Sequence, residues 1–290
     1  MQILIKSKNA STTGKVYLVG AGPGAADLIT VRGAKLLEKA DIVFHDALVE
    51  PEMLDLCPQA IKVAVGKRCG KLSSAQHFIN KRLIDAASQY QTIIRLKGGD
   101  PMLFGRADEE LQALHKAGIT VEIVPGITAA LAGAASIGQS LTLRGVSRSV
   151  AFVTLAQATE GVQDGQGQKV RQPISNPSAD TLVYYMGRKD AAKIAQQLIS
   201  QNCNHTTNTP VQILEAVSTS RERQWLSTLG ELAQGKAEHW FNVHSPALIL
   251  VGESLRPTNI ESAENLEGSS SKINDGLQHT EVLSNRRRRA

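Results

Sequence analysis

The sequence is organised around a short apolar run that ends in closely spaced glycines. The run Lys15-Val-Tyr-Leu-Val-Gly20 continues as Ala21-Gly22-Pro23-Gly24, and a polar segment with helical spacing follows. A second predicted strand, Thr92-Ile-Ile-Arg-Leu-Lys97, likewise runs into glycines, at Gly98-Gly99-Asp100-Pro101. Strands that end in such turns and alternate with helices are typical of parallel sheets, which bind ligands at the carboxyl ends of their strands. We therefore expect the two loops to hold a single ligand at the ends of neighbouring strands.

The spacing of the apolar residues predicts an α/β protein in two parts. In the first part, apolar strands alternate with helical segments, which predicts a parallel sheet covered on both faces. The second part is richer in strand, and we expect a mixed sheet there. Strands are predicted at residues 16–19, 41–46, 60–66, 92–96 and 121–124, and then at 149–155, 181–186, 210–216, 223–227 and 246–251.

The predicted boundaries follow from this pattern. A flexible N-terminus covers residues 1–13, an N-terminal α/β domain residues 14–125, and a C-terminal α/β domain residues 126–254. Residues 255–290 are polar and include four consecutive arginines, at 286–289, which predicts a disordered tail. The small residues of 126–138 predict a helix that approaches either another backbone or a ligand closely.

Composition argues against several classes of protein. Aromatic residues make up only 4% of the chain, too few for a broad base-stacking surface. The net charge of +5 suits anionic small molecules as well as nucleic acid, so by itself it does not distinguish between these two kinds of partner. Three scattered cysteines and seven histidines show no zinc spacing, so no metal is expected. No run reaches the ~18 apolar residues of a membrane span, and we expect a cytoplasmic protein that binds neither membrane nor nucleic acid.

The first glycine loop allows two readings. Gly20-x-Gly22-x-x-Ala25 fits a loose dinucleotide fingerprint, and Asp46 follows the second strand, where a ribose-binding carboxylate is expected. Pro23 argues against a dinucleotide, because proline has no N–H to donate to a pyrophosphate. S-adenosylmethionine has a ribose and an adenine but no phosphate, and its sulfonium tolerates a carboxylate such as Asp100. A nicotinamide-dependent oxidoreductase remains the alternative.

Six sequence blocks, in order and spacing, together resemble the tetrapyrrole methylases. They are Val19-Gly-Ala-Gly-Pro-Gly24, Val65-Gly-Lys-Arg68, Arg95-Leu-Lys-Gly-Gly-Asp-Pro101 with Phe104-Gly-Arg106, Val124-Pro-Gly-Ile-Thr-Ala129, Tyr185-Met-Gly187 and Pro246-Ala-Leu-Ile249. The resemblance covers residues 14–253 and is strongest to the members that act on uroporphyrinogen III. It implies two α/β domains with the cofactor in a cleft between them, and a homodimer.

The resemblance also implies an activity. This is the S-adenosylmethionine-dependent C-methylation of uroporphyrinogen III at carbons 2 and 7, giving precorrin-2 for sirohaem, cobalamin or haem d1 synthesis, with S-adenosylhomocysteine as by-product. A methylase of a later precorrin and a degenerate paralogue with low activity are the alternatives within the family. The segment Asp46-Ala-Leu-Val49 favours uroporphyrinogen III as the substrate, since members that act on later precorrins resemble Ala-Gly-Ser-Leu-Val there.

Site residues are carried over by matching positions. Asp46 and Lys67 occupy the positions of the proton acceptor and the proton donor. A substrate with many carboxylates would be bound by Arg106, Glu109 and Arg144, although Arg106 could instead form only a structural pair with Glu109 or Glu110. The implied cofactor residues are Pro23, Gly98, Gly99, Asp100, Leu103, Thr128, Ala129, Met186, Val217 and Ala247.

Three segments depart from the family pattern. The family has Leu-Thr-His-Arg where this chain has Leu141-Thr-Leu-Arg144, and Glu-Asn-Gly-Thr where it has Glu215-Ala-Val-Ser218. Leu155 and Ala156 replace the usual Gly-His after Thr154. These positions lie at or near the implied substrate and adenine contacts, so we expect them to affect activity more than fold.

Overall fold

The computed structural model describes residues 13–65, 72–154, 177–201 and 204–257. The described residues as far as Arg256 form one compact unit and contain two five-stranded sheets. The first sheet has strands β1 Lys15–Gly20, β2 Ile42–His45, β3 Ile61–Ala64, β4 Thr92–Lys97 and β5 Val121–Val124. The second has β6 Val150–Thr154, β7 Thr181–Tyr185, β8 Pro210–Glu215, β9 Arg223–Thr228 and β10 Ala247–Gly252. The helices are α1 Val31–Leu37, α2 Leu72–Ala87, α3 Ala107–Lys116, α4 Ala129–Ser136, α5 Ala191–Ser200 and α6 Leu229–Ala233.

The first sheet is parallel throughout, in the order β3-β2-β4-β1-β5. Strands β1 and β4 are neighbours, and Gly20 at the end of β1 is paired with Lys97 at the end of β4. The two glycine-rich loops therefore start side by side, as the sequence predicted.

Apolar residues on both faces of this sheet are buried, because alternate residues of a strand point to opposite faces. Leu18 and Phe44 pack with Leu83 of α2 and Leu114 of α3 on one face. On the other face, a second cluster includes Leu37 of α1. The prediction of a parallel sheet covered on both faces is confirmed.

The second sheet is mixed, also as predicted, in the order β6-β7-β10-β8-β9. Strands β6 and β7 are parallel, whereas β10 is antiparallel to both β7 and β8. Tyr185 is paired with Thr154 and with Leu248, and Glu215 with Ala247. The carboxyl ends of β6, β7 and β8 thus share one sheet edge with the start of β10.

All ten predicted strands are confirmed to within one or two residues at each end. Helix α6 was missed, because five residues are too few to show a helical period. The domain boundary predicted after residue 125 falls between β5 and α4 and stays a prediction. None of the helices in the described ranges has the length and apolarity that crossing a bilayer requires.

Three strand ends meet where there is no space for side chains. A Cβ atom on Gly126, after β5, would lie 2.3 Å from the carbonyl oxygen of Gly99 and 2.8 Å from the Cα of Gly20. Gly22 and Gly99 also exchange two backbone hydrogen bonds, of 3.2 and 2.7 Å. The loops after β1, β4 and β5 are thereby held in backbone contact.

We predict that Gly126→Ala destabilises the protein by roughly 1–3 kcal/mol, because the new methyl group overlaps backbone atoms that cannot rotate away. Gly98→Ala is the matched control, since the one described contact of a Cβ there is with the Leu48 side chain, at 3.4 Å. Urea unfolding of both variants and the wild type measures the difference. Equal free energies of unfolding for the two variants would contradict the close contact.

Candidate active site

The loops at the carboxyl edge of the first sheet contact a turn at the edge of the second. The backbone N–H of Ala25 donates a 3.1 Å hydrogen bond to Oγ of Ser218. A Cβ on Gly24 would lie 2.6 Å from Cγ2 of Thr219 and 2.9 Å from the carbonyl oxygen of Val217. The two sheet edges that carry the predicted site therefore adjoin one another.

Asp100 fastens the loop after β4 in place. Its Oδ1 accepts a 2.8 Å hydrogen bond from the N–H of Met102, and its Oδ2 accepts one of 2.9 Å from the N–H of Gly126. Both carboxylate oxygens are thus bonded to backbone. The structure gives Asp100 a role in holding the loop, in addition to the cofactor contact that the resemblance implies.

The ten residues implied to hold the cofactor lie at these two adjoining edges. In the first sheet, Pro23 follows β1, the segment from Gly98 to Leu103 follows β4, and Thr128 and Ala129 begin α4. In the second sheet, Met186 follows β7, Val217 follows β8, and Ala247 begins β10. The side chain of Val217 is buried in the core with Ala130 and Leu214, so its backbone is the part that can contact a ligand.

Tyr185 is a residue of this region that sequence reasoning missed. Its hydroxyl is 2.5 Å from Oγ1 of Thr128 and accepts a 3.1 Å hydrogen bond from the N–H of Ala130. Its ring lies 5.1 Å from that of Phe104 and 6.1 Å from that of Phe152. Burial raises the pKa of Tyr185, so the hydroxyl stays neutral. Its place beside Met186 in the fifth sequence block was the available signal.

Backbone strain is concentrated in the same loops. Among the described residues other than glycine, a positive φ occurs at Phe104 (53°), Arg106 (54°), Met186 (57°), Asn204 (55°), Ala216 (49°) and Ser218 (60°). All but Asn204 lie in the loops after β4, β7 and β8. Such conformations are unfavourable by about 1–3 kcal/mol each and cluster at functional sites.

Asp46, the implied proton acceptor, belongs to a buried group of charges. Nη2 of Arg95 donates to its Oδ1 at 2.5 Å, and Nε of Arg95 donates to Oε1 of Glu110 at 2.9 Å. Nζ of Lys97 donates to Oε2 of Glu110 at 3.0 Å, and the Gln76 amide adds a 3.1 Å bond to Oε1. Lys67, the implied proton donor, lies outside the described residues.

Burial and charge act in opposite directions on these groups. Burial alone lowers the pKa of Arg95, but attraction by Asp46 and Glu110 raises it overall. Burial raises the pKa of Glu110, because it disfavours the charged carboxylate, but attraction by Arg95 and Lys97 brings this pKa below its ordinary value. Burial and repulsion by Arg95 lower the pKa of Lys97.

The implied substrate-binding residues lie in two separate loops. Arg106 precedes α3, and its Nε and Nη2 bond both oxygens of Glu109, at 2.6 and 2.7 Å. Arg106 thus pairs with Glu109, whereas Glu110 belongs to the buried group. Whether Arg106 also binds substrate stays a prediction. Arg144 is exposed between α4 and β6, one residue after Leu143, whose N–H donates to the Ser147 carbonyl. No group of His, Cys, Asp or Glu side chains in the described ranges is arranged to hold a metal ion.

Comparisons with known proteins agree with this geometry. Residues 15–233 match the family described as Tetrapyrrole (Corrin/Porphyrin) Methylases. The chain is 41% identical over 256 residues to a siroheme synthase of Pseudomonas fluorescens SBW25, covering 87% of this chain and 53% of that protein. It thus spans about half the length of the first curated relatives that it matches. It is also 41% identical over 244 residues to a uroporphyrinogen-III C-methyltransferase of Pseudomonas aeruginosa PAO1, covering 84% of this chain and 95% of the relative.

Solved structures have the same fold. A uroporphyrin III C-methyl transferase from Thermus thermophilus superposes with a TM-score of 0.67 at 36% identity, covering 84% of this chain and 94% of that one. A structure of that enzyme complexed with S-adenyl homocysteine gives a TM-score of 0.68 at 37% identity, with the same coverage. By sequence and by fold, the chain belongs to the tetrapyrrole (corrin/porphyrin) methylases.

Proposed function

We propose that the protein transfers methyl groups from S-adenosylmethionine to carbons 2 and 7 of uroporphyrinogen III, giving precorrin-2 and S-adenosylhomocysteine. The observation that carries this proposal is the 41% identity to a uroporphyrinogen-III C-methyltransferase across 95% of that relative's length. The Thermus thermophilus structure with bound S-adenyl homocysteine supports the choice of cofactor.

The local geometry fits such a cofactor. Among the described residues, no atom lies within 4 Å of the position that a Cβ on Gly99 would occupy, and a Cβ on Gly98 meets only Leu48. The described part of the chain therefore leaves this backbone open to a ligand. Pro23 lacks the N–H that a pyrophosphate would require. We propose that Pro23, Gly98, Gly99, Asp100, Leu103, Thr128, Ala129, Met186, Val217 and Ala247 hold the cofactor. When bound, the cofactor supplies an electrophilic methyl group on its sulfonium.

The protein's own residues would act mainly by positioning. Fixing the pyrrole carbon at attack distance from the methyl group removes much of the entropic barrier to reaction. Methylation makes the pyrrole carbon quaternary and leaves the macrocycle positively charged, and Asp46 would accept the proton that the macrocycle then loses. Lys67 is the proton donor that the resemblance implies. Arg106 and Arg144, with Glu109 orienting Arg106, would bind substrate carboxylates, since guanidinium groups form paired hydrogen bonds to them.

We predict that anaerobic incubation of the protein with uroporphyrinogen III and methyl-labelled S-adenosylmethionine yields a product with two added methyl groups. Mass analysis counts the methyl groups, and NMR assigns them to carbons. A single methyl group, or transfer only to a later precorrin, would contradict this choice of substrate. Calorimetric titration that shows binding of NAD but not of S-adenosylmethionine would favour the oxidoreductase alternative.

We predict that Arg106→Ala raises the KM for uroporphyrinogen III roughly tenfold or more, because a charge-assisted hydrogen bond contributes about 1.5–3 kcal/mol. The dissociation constant of the cofactor should change less than about twofold, as Arg106 is not among the proposed cofactor residues. Arg256→Ala is the matched control, since Arg256 forms a similar two-bond pair with Glu253, three residues away. Equal loss of substrate and cofactor binding in Arg106→Ala would contradict the division of roles.

We further propose a cytoplasmic homodimer without nucleic-acid or membrane partners. The α4–β6 face, defined by Leu131, Leu143, Val146 and Phe152, supports the dimer. These four apolar side chains are between 39% and 56% exposed. Leu131 and Phe152 line a groove of about 490 Å³, and β6 is an edge strand. Exposed apolar patches of this kind mark association surfaces.

We predict that the wild type has twice the mass of one chain in light scattering after size-exclusion chromatography, and that Leu131→Asp is monomeric. Burying an added carboxylate in an apolar interface is strongly unfavourable. Val31→Asp, at a residue 72% exposed on α1, is the control and should remain dimeric. A monomeric wild type, or a dimeric Leu131→Asp variant, would overturn the assignment of this face.

A further inference from the structure

Three hydrogen bonds fix the position of the Arg95 side chain. Arg95 lies in β4 with only 3% of its side chain exposed. Nε bonds Glu110 at 2.9 Å, Nη1 donates to the Leu96 carbonyl at 3.1 Å, and Nη2 bonds Asp46 at 2.5 Å. An arginine side chain normally has many rotamers, so three bonds in different directions define one position for its guanidinium.

The buried group of Arg95, Lys97, Glu110 and Asp46 is called the charge cluster below. Asp46 is its member that reaches solvent. Glu110 is fully buried and Lys97 is 3% exposed, whereas 30% of the Asp46 side chain is exposed. Arg95 occupies Oδ1, and no described residue donates a hydrogen bond to Oδ2. The cluster therefore holds a single carboxylate at the surface, and none of the described residues hydrogen-bonds its second oxygen.

The charges balance only when Asp46 is included. Arg95 and Lys97 supply two positive charges, and Glu110 supplies one negative charge that both cations share. Asp46 is the second negative charge. Buried charges are stable only when they are paired, so the cluster holds the Asp46 carboxylate next to Arg95.

The backbone brings the two residues together but does not orient the carboxylate. The N–H of Asp46 donates to the Leu96 carbonyl at 3.2 Å, which continues the pairing of β2 with β4. The only polar contact of the Asp46 side chain with a described residue is the one with Arg95. The direction of the carboxylate thus depends on Arg95.

We propose that Arg95, anchored by Glu110, is a positioning residue that orients Asp46 for proton transfer. This inference rests on the proposed function, in which Asp46 accepts a proton from the methylated substrate. A general base must lie within hydrogen-bonding reach of the proton that it removes, and a misplaced base loses much of its effect. Arg95 therefore affects turnover through Asp46 without contacting the substrate.

The competing explanation is that Arg95 only stabilises the fold by neutralising Glu110. Arg95→Met separates the two explanations, since it leaves Lys97 and Glu110 as a balanced buried pair and Asp46 free to turn towards solvent. Lys97→Met is the matched control. It removes a cation from the same cluster but no contact with Asp46.

The test is a double-mutant cycle with Asp46→Asn, with kcat, both KM values and melting temperature measured for each variant. We expect Arg95→Met to lower kcat roughly tenfold or more, with KM values changed less than about threefold. In the Asp46→Asn background, the same change should lower kcat less than about twofold. The effects of Lys97→Met and Asp46→Asn should multiply. The inference would be overturned if the kcat effects of Arg95→Met and Asp46→Asn simply multiplied. It would also be overturned if Lys97→Met were coupled to Asp46→Asn as strongly as Arg95→Met is.

Crystal structures of the wild type and Arg95→Met give a readout that does not require activity. The Asp46 carboxylate should rotate or become disordered in the variant, and an unchanged position would overturn the inference. A wild type that transfers no methyl group would refute the proposed function, and the two structures would still decide whether Arg95 orients Asp46. If Arg95→Met does not fold, Arg95→Lys replaces it, since lysine keeps the charge but cannot contact both carboxylates in the same way.

Discussion

The close approach of three strand ends is the constraint on which the rest of the site depends. Gly20, Gly99 and Gly126 come so near one another that a single methyl group on Gly126 would overlap backbone atoms. Because no side chains intervene, the loops after β1, β4 and β5 share hydrogen bonds, and Asp100 ties two of them together. Pro23, Asp100 and Thr128 reach one edge of the sheet for this reason, although more than a hundred residues separate the first from the last.

Most of the fold was predictable because each strand carries its own signal. Buried parallel strands are short apolar runs, and runs such as Val16–Val19 and Ile42–Phe44 show the limits of their strands directly in the sequence. The order of the strands was not predictable, since the position of β4 between β1 and β2 depends on contacts between distant segments. Helix α6 was missed for a local reason, because five residues show too little of a helical period.

The candidate site was predictable only where sequence blocks carry it. Glycine and proline mark tight loops, so the sequence predicted the loops that contain Pro23, Gly98 and Gly99, and the family resemblance supplied their proposed role. Tyr185 was missed, because its hydrogen bonds to Thr128 and Ala130 join elements that the sequence places far apart. The pairing of Arg106 with Glu109 was visible as a spacing of three residues at the start of a helix. Glu110, by contrast, faces Arg95 and Lys97, because α3 packs against the sheet. The sequence did not show that packing.

The block Arg95–Pro101 combines two functions that sequence comparison cannot separate. Arg95 and Lys97 are two residues apart, so they point to the same face of β4, where Glu110 of α3 meets them. The next four residues form the loop proposed to hold the cofactor. A relative that keeps the fold must accommodate the buried cations, and under the proposed function one that keeps the activity would also keep the loop and Asp46. Similarity in this block thus supports family membership more strongly than it supports any one substrate. The Asp46 carboxylate connects the buried cations to the proposed chemistry, because Arg95 contacts it directly.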